Sequence, residues 1–222
     1  MSAVKEETTT QQQDERARKR EADSAQRIRD RRLVRRLKAG DERAFQEMVL
    51  TYQDRIFGLV FRMLGNRQEA EDVAQEVFIS VYRGIGNYRG EGKLYTWMYR
   101  IASNTCKNRI KYLKGRNFHR ASDIDETPAA HTKGEDGGPV VALQSVVPGP
   151  EATVQGNRLQ EAVQRELANL EPEHRLLIVL RDVQGLSYQD ILKITGLNQG
   201  TLKSRLHRAR LALKSRLAPY LT

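Results

Sequence analysis

The spacing of the apolar residues constrains the fold of this chain more than any other feature of its sequence. Between Asp41 and Gly65 the apolar residues recur every three or four positions and lie on one broad face of a helical projection. Such a stripe is typical of a helix packed on one side, whereas a half-buried strand alternates apolar and polar residues. Similar spacing recurs along the chain, and no segment alternates as a strand does. The sequence therefore predicts an all-α fold.

One interruption of this periodicity divides the chain into two small helical domains. Residues 1–27 are polar and charged and are predicted to form a disordered extension, with a basic arm as the alternative. Residues 28–115 form the first predicted domain and residues 158–222 the second. Residues 116–157 contain four of the six prolines and are predicted to form a flexible linker. An apolar cluster at residues 140–147 fits either docking on a partner or partial collapse of the linker.

Charge and cysteine content restrict the class of protein. Lys and Arg number 38 against 28 acidic residues, for a net charge of +10, which is consistent with a polyanionic partner or with a generic basic surface. The single cysteine, Cys106, excludes an intramolecular disulfide and fits a reducing compartment. The sequence has neither an apolar N-terminal segment nor an apolar run long enough to span a membrane. We therefore expect a cytoplasmic protein.

Motifs for catalysis are missing from the sequence. The four histidines are scattered, and there is no CxxC pair, glycine-rich phosphate loop or nucleophile elbow. Cys106 falls at a helical position suited to packing rather than to nucleophilic attack. The sequence predicts no enzyme, no metal site and no cofactor.

The second domain contains the pattern of a helix-turn-helix. Ser187 and Asp190 have the spacing of a capping box at the start of a short helix. Gly196 is placed to end that helix in a left-handed conformation, and Asn198 can cap the next. Two short helices joined by a tight turn of this kind form the motif.

The last predicted helix combines an apolar stripe with a basic outward face. Leu202, Leu206 and Ala209 repeat at helical spacing towards the core. Outward side chains near the N-terminus of such a helix reach base edges in the major groove, and neighbouring cations reach phosphates. A solvated basic face is the alternative, but the turn, the caps and the stripe together favour DNA binding. The residues assigned to this surface are Gly200, Thr201, Lys203, Ser204, Arg205, His207 and Arg208.

Two further surfaces have more than one interpretation. The acidic face of the helix after Asn66 fits either a solvated helix side or a binding surface for a basic partner. It consists of Glu69, Asp72, Gln75 and Glu76. Aromatic residues mixed with cations at residues 87–109 fit single-stranded nucleic acid, which binds aromatic faces beside a positive track. The alternative is that Trp97 and Tyr99 belong to the core, and for Trp97 the pattern favours the core.

Three segments together resemble the extracytoplasmic-function sigma factors of the sigma-70 family. Residues 64–78 (LGNRQEAEDVAQEVF) resemble the core-polymerase-binding motif of that family. Residues 88–104 (YRGEGKLYTWMYRIASN) resemble its −10 loop and helix. Residues 185–191 and 200–210 (GLSYQDI and GTLKSRLHRAR) resemble its −35-binding helix-turn-helix. The order and the intervening linker also match.

The resemblance implies roles for these surfaces. The acidic face would contact the clamp helices of the largest subunit of core RNA polymerase, with a further contact to the flap region of the second-largest subunit. The last helix would meet the −35 element. The implied −10 residues are Tyr88, Arg89, Lys93, Tyr95, Thr96, Trp97, Arg100 and Asn104. By the same resemblance, residues 88–96 would form a loop that captures a flipped −10 base. The resemblance also implies promoter DNA and an anti-sigma factor, often membrane-anchored, as partners. A free-standing helix-turn-helix regulator and a protein-binding adaptor remain the alternatives.

Overall fold

The protein, analysed as a computed structural model, consists of helices joined by short connections in the residues that the structure describes, 21–90, 92–122 and 154–220. The predicted all-α fold is confirmed over these residues, among which there is no strand. The first group of helices is α1 (residues 21–38), α2 (Glu42–Leu64), α3 (Arg67–Gly84), a 3₁₀ turn (Ile85–Asn87) and α4 (Leu94–Ser122). The second group is α5 (Val154–Ala168), α6 (Pro172–Ile178), a π-helical turn (Val179–Val183), α7 (Tyr188–Thr195), α8 (Gln199–Leu217) and a 3₁₀ turn (Ala218–Tyr220).

Local capping explains the ends of α2 and α3. The Asp41 carboxylate accepts hydrogen bonds from the backbone N–H groups of Arg43 (2.9 Å) and Ala44 (3.2 Å) at the start of α2. Gly65 ends α2 with a φ of 78°, which costs glycine little because it has no Cβ. The Asn66 side chain then accepts from the backbone N–H of Glu69 (3.0 Å) and caps α3. These ends lie where the sequence predicts them.

The core of the first domain is the apolar stripe of α2 packed against α3 and α4. Met48, Leu59 and Met63 of α2 are fully buried. Val77 of α3 and Met98 of α4 are equally buried opposite them. The side of α3 that faces away from this core remains exposed, whereas α4 also packs against α7 of the second domain.

The structure shifts three boundaries relative to the sequence prediction. Residues 21–27, predicted as part of a disordered extension, belong to α1; residues 1–20 lie outside the described residues. The Gln26 side chain donates to Asp30 within α1 and to the Tyr52 hydroxyl of α2. The bond to Tyr52 forms only when α1 packs on α2, so the polar composition of this segment did not indicate it. The predicted linker is helical at both ends, since α4 and α5 extend into it. Its remaining part, with the apolar cluster, lies outside the described residues.

The second domain packs α5, α6 and α8 together and places α7 at one side. Pro172 occupies the first turn of α6, where its missing N–H would have no helical partner. Leu176 and Leu177 are buried beneath α8. The Ser187 hydroxyl accepts the backbone N–H of Asp190 (3.1 Å) at the start of α7. The predicted helix-turn-helix is therefore formed by α7 and α8.

The two domains contact each other, an arrangement that the sequence did not indicate. The buried guanidinium of Arg175 in α6 donates to the Met63 carbonyl at the end of α2 and to the Ala168 carbonyl at the end of α5. Burial lowers the pKa of this guanidinium, and no carboxylate bonds it among the described residues. The Gln164 side chain of α5 adds a second bond, to the Phe61 carbonyl of α2 (3.2 Å). These bonds join the domains through the end of α2.

Candidate functional surfaces

The acidic face of α3 is largely free in the described structure. Asp72, Gln75 and Glu76 are exposed on the side of α3 opposite its buried residues. Glu69 differs, because it is half-buried and accepts a hydrogen bond from Arg109 of α4 at 2.6 Å. This bond raises the pKa of the Arg109 guanidinium. We define the acidic face from here on as Asp72, Gln75 and Glu76.

The connection at residues 85–93 joins α3 to α4 and contains the first of the predicted −10 residues. Tyr88 is buried (8% exposed), its ring lies 5.3 Å from that of Trp97, and its hydroxyl donates to the Gly92 carbonyl at 2.7 Å. Arg89 is exposed. The predicted contact of Tyr88 with a flipped base is therefore not available in this arrangement, because the side chain packs inside the connection.

The start of α4 is also less exposed than predicted. Thr96 belongs to the helix rather than to the loop and is buried (6% exposed). Lys93 forms an ion pair with Asp23 of α1 at 2.8 Å, and this bond raises the lysine pKa against the opposing effect of burial. The Tyr95 hydroxyl donates to Asp190 of α7 at 2.9 Å. Burial, and then the Asp190 charge, raise the pKa of Tyr95.

The exposed part of the predicted −10 surface consists of cations and an amide. Arg100 and Asn104 lie one turn apart on the solvent side of α4. Trp97 is half-buried against Tyr88 and close to Gly84, as its core interpretation requires. Among the predicted residues, Arg89, Arg100 and Asn104 can therefore reach DNA without a rearrangement.

A basic cleft lies beside this surface. Its volume is about 790 Å³, and it opens between α1, the 85–93 connection and α7. The acidic side chains in its lining are hydrogen-bonded, whereas several cations have no ion-pair partner among the described residues. Those cations are Arg27, Arg31, Arg35, Arg89 and Lys193. The cleft is therefore positive and suits an anionic ligand or strand.

The recognition helix α8 presents most of its predicted residues to solvent. The Asn198 side chain accepts the backbone N–H of Thr201 (2.8 Å) at its start, and Leu202 and Leu206 anchor it in the core. Gly196, with a φ of 71°, allows the tight turn before it. The exposed residues of the predicted surface are Gly200, Lys203, Ser204, His207 and Arg208, and Thr201 is half-buried.

Arg205 is less available to DNA than predicted. Its guanidinium is paired with Glu173 of α6 rather than directed to solvent. Arg210 behaves similarly, since Nε and Nη2 donate to the two carboxylate oxygens of Asp182 at 3.0 and 2.5 Å, and this raises its pKa. Sequence reasoning did not find these partners, because Glu173 and Asp182 are far from α8 in the chain. Arg205 must leave Glu173 to contact a base.

The segments predicted to bind the −10 and −35 elements contact each other in this structure. Tyr95 donates to Asp190 of α7, and the buried Tyr99 donates at 2.9 Å to Gln184, the residue that follows the π-helical turn. Burial raises the pKa of Tyr99 to about 12. Asp190 also accepts from the Ser187 hydroxyl at 2.7 Å. Asp190, which the sequence indicated only as part of a capping box, therefore also joins the two domains.

The described residues offer neither a metal site nor a reactive thiol. They contain no cluster of metal-ligating side chains. Cys106 is buried as its packing interpretation predicts, and burial raises the pKa of its thiol to about 12. None of the described helices combines the length and apolar character needed to cross a membrane.

Two family models match the chain in the predicted order. The model of sigma-70 region 2 matches residues 48–116, which cover most of α2, all of α3 and most of α4. The model of sigma-70 region 4 matches residues 160–213, which cover α5 to most of α8. The first domain is thus a region 2 domain and the second a region 4 domain.

Solved structures support the fold. The chain is similar to the sigma factor RpoE of Bartonella quintana in complex with the anti-sigma factor NepR, with a TM-score of 0.57, 20% identity and coverage of 78% of this chain and 96% of that chain. It is similar to CnrH in complex with the cytosolic domain of CnrY, also at 0.57, with 21% identity and coverage of 85% and 96%.

Similarity to curated proteins extends over nearly the whole chain. The RNA polymerase sigma-H factor of Pseudomonas aeruginosa is 40% identical over 192 residues, which are 86% of this chain and 95% of that protein. The ECF RNA polymerase sigma-E factor of Escherichia coli K12 is 35% identical over 195 residues, which are 88% and 97% of the two chains. The chain belongs to the extracytoplasmic-function sigma factors of the sigma-70 family.

Proposed function

We propose that this chain binds core RNA polymerase, directs it to promoters through their −35 and −10 elements, and promotes promoter melting. The observation that carries the proposal is the alignment with a named sigma factor over 86% of the chain, which extends across both domains. No catalytic role is proposed for its own residues. Because its partner polymerase transcribes in the cytoplasm, we propose that it acts there.

The exposed surfaces suggest a division of roles. The acidic face of α3 suits the basic clamp helices of the largest polymerase subunit, because opposite charges steer and orient association. The exposed cations of α8 suit the −35 duplex, and the 85–93 connection with Arg100 and Asn104 suits the −10 strand. Region 4 would make the second polymerase contact, with the flap region.

Simultaneous recognition of both promoter elements requires the domains to separate. The −35 and −10 elements lie about 25 base pairs apart, or roughly 85 Å at 3.4 Å per base pair. Tyr95 beside the −10 surface lies within hydrogen-bond distance of Asp190 in the helix-turn-helix. We therefore propose that this arrangement is a closed form that opens when polymerase binds.

Regulation by an anti-sigma factor follows from the family. The similar sigma factor RpoE was solved with the anti-sigma factor NepR, and CnrH with the cytosolic domain of CnrY. We propose that a protein of this kind, membrane-anchored or free, binds the present chain and prevents its access to polymerase.

Reconstituted transcription tests the proposal. The purified chain is mixed with core polymerase and a promoter template, with a scrambled −35 template as the matched control. We expect the chain to co-purify with core and to give promoter-specific run-off transcripts, while the free chain binds the duplex weakly. Tight sequence-specific binding of duplex without core, and no transcript with core, would identify a free-standing regulator instead.

A further inference from the structure

We propose that helix α1 is a positioning element for the 85–93 connection, acting through Lys38 and Asp30. The inference rests on the proposed role of this connection in capturing a −10 base. Neither residue was singled out by sequence analysis, and both precede residues 48–116, which the region 2 family model matches. Neither is expected to touch DNA, so each acts through the connection.

Lys38 contacts the first half of the connection. Its Nζ donates to the Tyr88 carbonyl at 2.9 Å and to the Gly86 carbonyl at 3.3 Å. An ammonium group has three donors and can bind two carbonyls at once. The backbone on either side of residue 87 is therefore fixed to the end of α1 by this one side chain.

Asp30 contacts the other end of the connection from inside the core. This carboxylate is 5% exposed, and its Oδ2 accepts the backbone N–H of Leu94, the first residue of α4, at 3.2 Å. Its Oδ1 accepts from the Tyr52 hydroxyl at 2.8 Å and from Gln26 Nε2 at 2.7 Å. The first N–H groups of a helix have no intrahelical partner, and a negative charge there is favourable. Asp30 thus caps α4 from another helix and fixes where α4 begins.

Lys38 and Asp30 fix the two ends of the connection and leave its tip, Arg89 and Gly90, exposed. Lys38 and Asp30 are separated by about 12 Å along α1 at 1.5 Å per residue. Arg89 and Gly90 between the two attachment points are exposed, and Gly90 has a φ of 76°. A site on a connection whose ends are fixed loses less conformational freedom on binding. The geometry therefore prepares the tip for a single strand before DNA arrives.

The test compares two exposed cations of α1 in holoenzyme assembled from the full chain. Lys38→Met removes the bonds to the connection. Arg32→Met is the control, because it removes the same charge from an exposed position of α1 that contacts neither the connection nor the basic cleft. Lys38→Arg restores donors. We expect Lys38→Met to slow opening of duplex promoter about tenfold, since hydrogen bonds from charged donors contribute at this level. We expect normal core affinity, a normal closed complex, and wild-type activity on a pre-melted −10 bubble. Lys38→Arg should recover most of the rate.

A second variant keeps the test independent of Lys38. Asp30→Asn retains an acceptor for the Leu94 N–H but not the charge, and we expect it to slow duplex opening less than Asp30→Ala does. Equal slowing by Lys38→Met and Arg32→Met would reduce the effect to general attraction for DNA and overturn the inference. Unchanged opening in both Lys38→Met and Asp30→Asn would overturn it as well. A wild-type chain without promoter-specific transcription would overturn the proposed function, and this inference with it.

Discussion

Reversal of charge on the acidic face of α3 is the sharpest test of the proposed polymerase interface. The perturbation is Asp72→Lys with Glu76→Lys, two exposed positions one helical turn apart. Neither side chain has an ion-pair partner among the described residues, and both lie on the side of α3 away from its buried stripe. Surface changes of this kind alter the free energy of unfolding by about 0.5 kcal/mol or less. The fold should therefore survive.

The expected loss of polymerase affinity follows from the exposure of these residues. An exposed charge pair contributes about 0.5–1 kcal/mol, and reversal replaces that attraction by a repulsion of similar size. Each of the two residues loses an attraction and gains a repulsion, so the free energy of binding to core polymerase should weaken by about 2–4 kcal/mol. This corresponds to a roughly 30- to 1,000-fold rise in Kd for core polymerase. The effect should shrink as salt is added, because exposed charges are screened.

Fluorescence anisotropy with labelled chain and core polymerase measures this Kd, and circular dichroism checks the fold. The matched control is Asp54→Lys with Glu161→Lys, which changes the net charge equally at exposed positions away from α3. If the control weakened binding as much as the α3 pair, net charge rather than this face would be responsible. A folded α3 variant with wild-type Kd would refute the assignment of the face to polymerase.

Three further predictions concern single side chains. Arg205→Ala should weaken holoenzyme binding to the −35 element by about 1–3 kcal/mol and relax specificity at one base pair. Binding to duplexes substituted at each −35 position measures this, and an equal loss on every sequence would indicate a phosphate contact instead. Because burial raises the pKa of the Cys106 thiol to about 12, a thiol reagent at about pH 8 should modify this residue only after unfolding. Since the pKa of Tyr99 is raised to about 12, its contribution to the free energy of unfolding should be complete below the ordinary tyrosine pKa of about 10 and be lost as pH rises towards 12. Denaturant titrations at several pH values in that range give the free energy of unfolding of the wild type and of Tyr99→Phe. We expect this free energy to fall more steeply with pH in the wild type, and parallel plots against pH would contradict the assignment.

The ends of the helices could be predicted from the sequence because capping is local. Asp41, Asn66 and Ser187 each bind backbone N–H groups two or three residues further along the chain, and Gly65 and Gly196 end their helices through their own φ angles. Apolar periodicity is equally local, so the all-α class and the inward stripes of α2 and α8 followed from it. The exposed acidic face of α3 followed for the same reason.

The availability of the predicted DNA-binding residues depended on distant contacts. Tyr88 and Thr96 were read as loop residues, but packing against other helices buries them. Arg205 was read as outward-facing, but Glu173, 32 residues away in the chain, pairs with it. No periodicity or spacing contains this information, because a side chain's partners are chosen by which surfaces the helices bring together.

The same reason explains the residues that the sequence did not indicate at all. Asp30 caps a helix 64 residues further along the chain, and Tyr95 bonds a residue 95 positions away. By itself the sequence determined the all-α class, the caps of α2, α3, α7 and α8, the apolar stripes of α2 and α8, and the family. Only the tertiary structure decided that α1 fixes the ends of the 85–93 connection and that the two domains meet, because both depend on hydrogen bonds formed after the helices have packed.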